Sequence, residues 1–267
     1  SMARLMTFLP TLPKNALKTT LRAVMADRGK TMDQLNLGQH ISQQFNEELE
    51  DVRNKVMQMG GIVEDQLQNA VKALVTGDTE LAAAVVENDY RVNALEVEID
   101  EECTRIVARR QPAATDLRLV MAVIKTITDL ERIGDEAKRV AKMVKEELNG
   151  AMAEDVRHEI QHMGDLVREM LRIILDSFAR TDVETAVQVV QLDNKVDVKY
   201  VTITRLLITY MAQDPKSIPR ILNILWAARA LERMGDRCEN IAEYIFYLVN
   251  GRNIRHIQLG DETIEDA

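Results

Sequence analysis

The sequence predicts an all-α protein built from two tandem, up-down-up three-helix bundles, and two observations support that fold class. Residues 130–135 (LERIGD) return 101 positions later as residues 231–236 (LERMGD), which indicates an internal repeat. Five prolines, eleven glycines and 4% aromatic residues beside 46% hydrophobic residues favour helices over sheets. The 267 residues suffice for two such units, each of about a hundred residues.

The repeat extends well beyond this motif, at a slightly different offset. Residues 59–60 match residues 163–164, and Asp89 matches Asp193, all at an offset of 104. Only the loop before the third helix changes length. Each motif is followed at the same distance by an Asn-Gly pair, which is typical of a helix end. The predicted units are a basic extension at residues 1–31, bundles at residues 32–150 and 151–257, and an acidic tail at residues 258–267.

Periodicity and capping signals predict six helices. The first ends at Gly77, and Asp78 is placed to cap the second, which ends before Pro112. Thr181 and Glu184 form a capping-box pattern before the fifth. Apolar and small residues recur every three or four positions in the third and sixth helices, which is typical of long bundles lying end to end or side by side. The predicted bounds are roughly 38–76, 78–110, 115–148, 153–180, 182–213 and 217–249.

Charge and cysteine content argue against several classes of function. The net charge is −9, and residues 1–31 carry six basic side chains against Asp27 alone, which leaves −14 for the rest. An acidic body repels phosphodiester backbones, so we expect no nucleic-acid partner. Cys103 and Cys238 are isolated, which fits a reducing cytosol. No apolar run approaches the roughly 20 residues of a membrane span, and we therefore expect a cytoplasmic protein.

Pairs of acidic residues four positions apart recur on neighbouring predicted helices. This spacing places both carboxylates on one helix face, about one turn apart. Like charges at that distance repel each other, and a bound cation would offset the repulsion. Oxygen ligands select Mg²⁺, Ca²⁺, Mn²⁺ or iron, whereas zinc prefers His and Cys, which are scarce here. The candidate metal ligands are Glu131, Asp135, Glu232, Asp236, Asp193, Asp197 and Asp89.

A simpler interpretation is that these carboxylates line solvated acidic faces and form ion pairs with Arg132 and Arg233. The glycines embedded in both motifs favour the metal interpretation. Glycine in a helix interior costs roughly 1 kcal/mol relative to alanine. We therefore expect Gly134 and Gly235 to permit close helix approach or access to the carboxylates.

Residues 158–162 (HEIQH) match the H-E-x-x-H pattern of zinc metalloproteases on a predicted helix. The pattern occurs in one repeat only, no third-ligand signature follows, and no predicted strand could align a peptide substrate. Ile160, Met163 and Val167 define the buried side of this helix, which leaves the histidines near its polar flank. A zinc protease is therefore a minor alternative, beside a carboxylate-bridged metal enzyme such as an oxidase.

The repeated motifs, together with residues 110–112 (RQP) leading into residues 116–120 (DLRLV), resemble the PhoU family of phosphate-uptake regulators. The resemblance covers about residues 32–257. It implies a cytoplasmic, often dimeric and non-enzymatic negative regulator of the phosphate-starvation response. Such a protein couples the ATPase of the phosphate ABC transporter to a sensor histidine kinase. The resemblance also implies that the acidic motifs hold a multinuclear cluster of iron, manganese or magnesium.

The first repeat departs from the second at several acidic positions. Asn93 replaces the second carboxylate of the pair that begins at Asp89. Two basic residues also stand where the second repeat has other residues. We therefore expect the first repeat to bind metal more weakly or through fewer ligands, and the second to hold the better site. The basic residues are Arg139 and Lys142, and their counterparts are Asn240 and Glu243.

Overall fold

The structure is a computed structural model that describes residues 43–147 and 152–251, and all regular structure in these residues is helical. The all-α prediction is therefore confirmed. Predicted helix residues 38–42 and 148, the helix end at 149–150 and the terminal segments 1–31 and 258–267 lie outside the described residues. The helices are α1 (Gln43–Thr76), α2 (Thr79–Asn88), α3 (Tyr90–Arg110), α4 (Ala114–Glu147), α5 (Glu154–Arg180), α6 (Val183–Gln213) and α7 (Ile218–Asn250), with a 3₁₀ turn (Pro215–Ser217) before α7.

The predicted end of α1 is confirmed, whereas the predicted capping box is wrong. Gly77 ends α1 with a φ of 72°, and the carboxylate of Asp78 accepts a hydrogen bond from the backbone N–H of Leu81 at 2.9 Å. Thr181 instead adopts a left-handed conformation, with a φ of 55°, at the end of α5. The N-cap of α6 is Asp182, which accepts hydrogen bonds from two backbone N–H groups. Thr181 thus ends α5, and Asp182 caps the start of α6.

The second predicted helix is interrupted at one residue, Asp89, between α2 and α3. Its φ of −58° and ψ of −33° remain helical. The carbonyl of Asp89 accepts a hydrogen bond from the N–H of Val92 at 3.0 Å, an i to i+3 bond that tightens the helix locally. The corresponding residue of the second repeat, Asp193, lies within the continuous helix α6.

The apolar and small residues predicted to recur every three or four positions in the third and sixth helices form one seam on each helix, and these seams make up much of the core. The seam of α4 is entirely buried, and in the seam of α7 only Leu225 is half-buried. The seam residues are Leu119, Val123, Ile127, Leu130, Gly134, Ala137, Ala141 and Val144 on α4, and Leu225, Ala228, Leu231, Gly235, Cys238, Ala242, Ile245 and Leu248 on α7. Phe45, Phe178 and Phe246 are among the largest fully buried side chains. Each fully buried side chain of this size contributes about 1.5–3 kcal/mol through removal of apolar surface from water. The periodic seams therefore account for the long antiparallel packing.

The two bundles lie side by side. Helices α1, α2, α3 and α4 form the first bundle, and α5, α6 and α7 form the second. Between the bundles, α4 packs along α7, and α1 packs along α5. Each of these contacts joins an element to its own repeat counterpart. The arrangement is therefore that of two units related by an approximate twofold axis.

Two glycines permit the close approach of α1 and α5. A Cβ atom at Gly60 would lie 2.8 Å from Cδ1 of Leu175, and one at Gly164 would lie 2.7 Å from Cγ1 of Val71. Both distances are shorter than the contacts that Cβ atoms make in folded proteins. The two contacts are reciprocal, because Gly164 and Leu175 are the repeat counterparts of Gly60 and Val71 at an offset of 104.

We expect Gly164→Ala to lower the free energy of unfolding by about 1–3 kcal/mol, because the new methyl group overlaps the stiff, β-branched side chain of Val71. Gly61→Ala is the matched control, since nothing lies within 4 Å of a Cβ atom at this exposed position in α1. That change should stabilise the protein by up to about 1 kcal/mol through helix propensity. Urea denaturation of both variants measures the two effects, and equal effects would contradict the close-packing explanation.

Candidate cation sites

In the second repeat, three carboxylates converge between α6 and α7. Asp193, Asp236 and Glu239 each place one oxygen so that all three lie within 4.8 Å of one another. Asp193 is fully buried on α6, whereas Asp236 and Glu239 are half-buried on α7. Two of the three are predicted ligands. Glu239 is not among the predicted ligands, although it lies one helical turn after Asp236.

The glycine of the second motif explains how a buried carboxylate reaches α7. A Cβ atom at Gly235 would lie 3.0 Å from Oδ1 of Asp193. The missing side chain therefore leaves room for this oxygen at the surface of α7. In the first repeat, a Cβ atom at Gly134 would lie 3.0 Å from Oε1 of Gln66, a buried side chain of α1. Close approach at both motif glycines, as expected from the sequence, is confirmed.

The donor set of the second repeat fits a hard divalent cation. Carboxylate oxygens are the ligands that Mg²⁺, Ca²⁺ and Mn²⁺ prefer. With bonds of about 2.1 Å in octahedral geometry, adjacent ligand oxygens lie about 3 Å apart and opposite ones about 4.2 Å apart. An arrangement of three oxygens within 4.8 Å of one another is compatible with those distances. Asp193, Asp236 and Glu239 are the residues that would hold the ion.

The other two predicted ligands of the second repeat lie outside this group. Glu232 is buried and accepts a hydrogen bond from the guanidinium group of Arg229. That guanidinium group lies 5.6 Å from the centre of the Tyr200 ring. Asp197 is half-buried on α6, one turn after Asp193. An arginine therefore already compensates the charge of Glu232.

In the first repeat, a lysine lies among the predicted ligands. The ammonium nitrogen of Lys138 is 2.6 Å from Oδ2 of Asp89 and 3.6 Å from Oδ1 of Asp135. Asp89 is 3% exposed, and its other oxygen, Oδ1, has no hydrogen-bond partner among the described residues. This part of the first repeat thus carries its own positive charge.

Glu131, the remaining predicted ligand of the first repeat, is half-buried on α4 beside other acids. Burial, together with the negative charges of Asp135, Glu96 and Asp89, raises the pKa of Glu131 to about 7. Burial and the neighbouring Asp100 also raise the pKa of Glu96. A carboxylate crowded in this way takes up a proton because the proton relieves the repulsion.

We expect this crowding to make stability depend on pH. The pKa of Glu131 is about 7 in the folded protein, whereas a glutamate in an unfolded chain has a pKa of about 4.3. The folded protein therefore binds more protons between these values, and its stability falls as the pH rises through that window. Glu131→Gln removes this ionisation. The stability of this variant relative to that of the wild type should therefore increase from pH 5 to pH 8.

Urea midpoints measured in the presence of a chelator would test this expectation. Glu101→Gln, at an exposed acid of α3, is the control for a general loss of negative charge. A constant difference between wild type and Glu131→Gln from pH 5 to pH 8 would contradict the expectation.

The motif arginines contact acids outside the set of predicted ligands. Nη1 of Arg132 lies 3.8 Å from Asp129, and Nη1 of Arg233 lies 3.0 Å from Glu136. The second of these pairs joins α7 to α4, and Asp129 and Glu136 are both buried. Arg233 therefore links the two bundles.

The H-E-x-x-H segment of α5 offers little for zinc chemistry. His158 and His162 are exposed, and Oε2 of Glu159 accepts a hydrogen bond from Nζ of Lys199 at 2.7 Å. The glutamate that would act as the general base is thus held in an ion pair. No strand is present in residues 43–147 and 152–251 to align a peptide. The surroundings that this motif needs are not found there.

The two cysteines are free and buried, one in each bundle. Burial raises the pKa of the Cys103 thiol to about 12, and burial also raises the pKa of the Cys238 thiol. Both therefore remain protonated at neutral pH and behave as small apolar core residues. Neither is a metal ligand in the candidate sites.

Two side-by-side bundles define a duplicated helical-bundle protein with acidic inter-helix sites. The carboxylates gather at Asp89 and along α4 in the first bundle, and between α6 and α7 in the second. No helix in the described ranges has both the length and the apolar character needed to cross a bilayer. The PhoU domain family matches residues 56–144 and 160–245, one match in each bundle. The chain belongs to the PhoU family.

Curated relatives and solved structures agree with this assignment. The chain is 50% identical over 224 residues to the "Phosphate-specific transport system accessory protein PhoU homolog" of Pseudomonas aeruginosa, covering 84% of this chain and 93% of the relative. It is 48% identical over 231 residues to the "Phosphate-specific transport system accessory protein PhoU" of Escherichia coli K12, covering 86% and 95%.

Two crystal structures have the same fold. The structure of PhoU from Pseudomonas aeruginosa superposes with a TM-score of 0.75 at 50% identity, covering 78% of this chain and all of that one. The structure of the phosphate transport system regulatory protein PhoU from Streptococcus pneumoniae superposes with a TM-score of 0.73 at 29% identity, covering 79% and 99%. The two-bundle architecture is thus shared at both levels of identity.

Proposed function

We propose that this chain is a cytoplasmic, non-enzymatic accessory protein that represses phosphate uptake and the phosphate-starvation response. The observation that carries the proposal is the match of both bundles to the PhoU family, with relatives at about half identity named accessory proteins of phosphate-specific transport. In this role the protein is an adaptor. It binds the ATPase of the phosphate ABC transporter and a sensor histidine kinase, and phosphate supply changes which complex forms.

An adaptor needs an exposed surface on which a protein partner can dock, and α6 offers one. Val198, Val201 and Ile208 share one face of this helix and are 65%, 45% and 57% exposed. Large apolar side chains that are exposed to water on one face of a helix are typical of interaction sites. We call these three residues the α6 stripe. At the corresponding positions the first repeat has Ala94, Val97 and Thr104, so only one of these three side chains is large and apolar.

The α6 stripe is proposed as the contact for the transporter ATPase, and single charge substitutions test it. Val201→Asp should weaken ATPase binding in a pull-down with purified components by about tenfold or more, because a carboxylate would be buried without a partner. Val97→Asp is the matched control, since Val97 is the exposed counterpart on α3. Equal binding by wild type and Val201→Asp would place the contact elsewhere.

The regulatory role has its own test, in a strain that lacks the gene. Such a strain should take up phosphate without repression in phosphate-rich medium, and wild-type protein should restore repression. Unchanged uptake in the deletion strain would contradict the proposed function. Pull-down of the sensor kinase domain at high and low phosphate, together with sedimentation of the purified protein, tests the proposed second partner and the proposed homodimer.

We further propose that Asp193, Asp236 and Glu239 hold a divalent cation such as Mg²⁺, Mn²⁺ or Fe²⁺. Their support is the oxygen donor set, the separation of the oxygens by less than 4.8 Å, and the space left by Gly235. The ion would hold α6 against α7 by neutralising three converging carboxylates. In this proposal the metal has a structural role, not a catalytic one.

A further inference from the structure

Alignment of the repeats places Lys138 of α4 at the position that Glu239 occupies in α7. Each residue lies three positions after the final aspartate of its motif, which is Asp135 in the first repeat and Asp236 in the second. The same position in the fold therefore carries a positive charge in one bundle and a negative charge in the other. This difference of two charge units falls inside the candidate cation site.

The contacts of Lys138 match those expected for a bound cation. Its ammonium nitrogen lies 2.6 Å from Oδ2 of Asp89 and 3.6 Å from Oδ1 of Asp135. The counterparts of these two aspartates in the second repeat are the two that converge with the glutamate. The ammonium group thus bridges the buried carboxylate of Asp89, between α2 and α3, and the motif carboxylate of Asp135 on α4. The corresponding group in the second repeat is Asp193, Asp236 and Glu239.

The first-repeat residues do not fit a divalent cation at this position. A lysine ammonium group has three donors and no acceptor, so it occupies the position without being able to ligate a metal. Two of the possible carboxylate donors are already paired with it.

We propose that Lys138 is a tethered counter-ion that stands in for the divalent cation in the first repeat. The chain then takes up a divalent cation in the second repeat and none at the equivalent position in the first. The comparison between repeats rests on the proposed cation site of the second repeat. The lysine makes the first bundle independent of metal supply, whereas the second bundle responds to it.

Counting bound Mn²⁺ by electron paramagnetic resonance tests the proposal. The wild type should bind Mn²⁺ at one site, and Lys138→Glu should bind it at two. At the Mn²⁺ concentration that just fills the wild-type site, Asp236→Asn with Glu239→Gln should show no occupied site, because its affinity is expected to be much weaker. Adding Lys138→Glu to that double variant should restore one site. Lys72→Glu is the matched control, because it makes the same change of charge at an exposed lysine of α1 and should leave one site.

The outcomes separate this proposal from that of the second-repeat site. Two Mn²⁺ sites in the wild type, or no additional Mn²⁺ site in Lys138→Glu, would overturn the proposal that Lys138 is a tethered counter-ion. A wild type that binds no Mn²⁺ contradicts the second-repeat site. In that case Lys138→Glu alone decides the present proposal. One bound Mn²⁺ in this variant would support the proposal, and no bound Mn²⁺ would overturn it.

A second variant keeps the proposal testable if Lys138→Glu does not fold. Lys138→Ala removes the positive charge from beside the buried Asp89 and should lower Tm. Millimolar Mn²⁺ should then raise the Tm of Lys138→Ala by several degrees more than it raises the Tm of Asp89→Asn with Lys138→Ala. The same Mn²⁺ response in both variants would overturn the proposal, because the ion would then not be replacing the lysine at Asp89.

Discussion

Replacing Tyr244 by phenylalanine together with Arg237 by methionine is expected to lower the free energy of unfolding by about 3–5 kcal/mol. The hydroxyl group of Tyr244 donates a hydrogen bond to Oδ2 of Asp129 at 2.7 Å, and Nη1 of Arg237 lies 3.4 Å from Oδ1 of the same carboxylate. Asp129 lies on α4 and is 2% exposed, whereas both donors lie on α7. The double change leaves a buried charge between the bundles without its nearest donors.

The control adds Asp129→Leu to the same double variant. Removing the carboxylate removes the charge that had lost its partners, so the triple variant should recover most of the lost stability. Tyr244→Phe alone should cost about 1.5–3 kcal/mol, the contribution of one hydrogen bond to a charged group. Guanidinium denaturation measures all three variants. A triple variant no more stable than the double would show that packing, and not the buried charge, causes the loss.

The second large effect is expected at the second-repeat site. Asp236→Asn with Glu239→Gln should weaken Mn²⁺ binding by on the order of 100-fold, equivalent to about 2.7 kcal/mol, because two of three anionic donors become neutral. Isothermal titration with Mn²⁺ measures the change. The matched control is Asp165→Asn with Glu169→Gln, which removes the same charge from two exposed acids of α5. Equal affinities in both double variants would contradict the site.

The fold was largely predictable because it follows from periodic, local signals. The seam of α4, the end of α1 at Gly77 and the cap at Asp78 all depend on residues near each other in the sequence. Thr181 was assigned to the wrong helix, since a left-handed helix end and a capping threonine look alike in sequence. The side-by-side packing depends on long-range contacts such as that between Gly60 and Leu175, which no local pattern reveals.

The site was only partly predictable, because charge compensation comes from elsewhere in the fold. Pairs spaced by four residues identified Asp193 and Asp236, but not Glu239, which lies three residues after its motif. The repeat offset of 101 does align Glu239 with Lys138, and this comparison could have revealed both. The contact between Arg229 and Glu232 also has helical spacing, since the two residues lie three positions apart on α7. The contact of Lys138 with Asp89 instead joins residues 49 positions apart and depends on the fold.

The reciprocal contacts of Gly60 and Gly164 also bear on how such a chain could have arisen. The two bundles meet through equivalent surfaces, so this surface is complementary to a second copy of itself. A polypeptide with only one bundle would therefore present a surface that fits another copy of the same polypeptide. Joining two such copies in one chain fixes their stoichiometry. It also lets each copy change separately, and the equivalent positions 138 and 239 now hold a lysine and a glutamate.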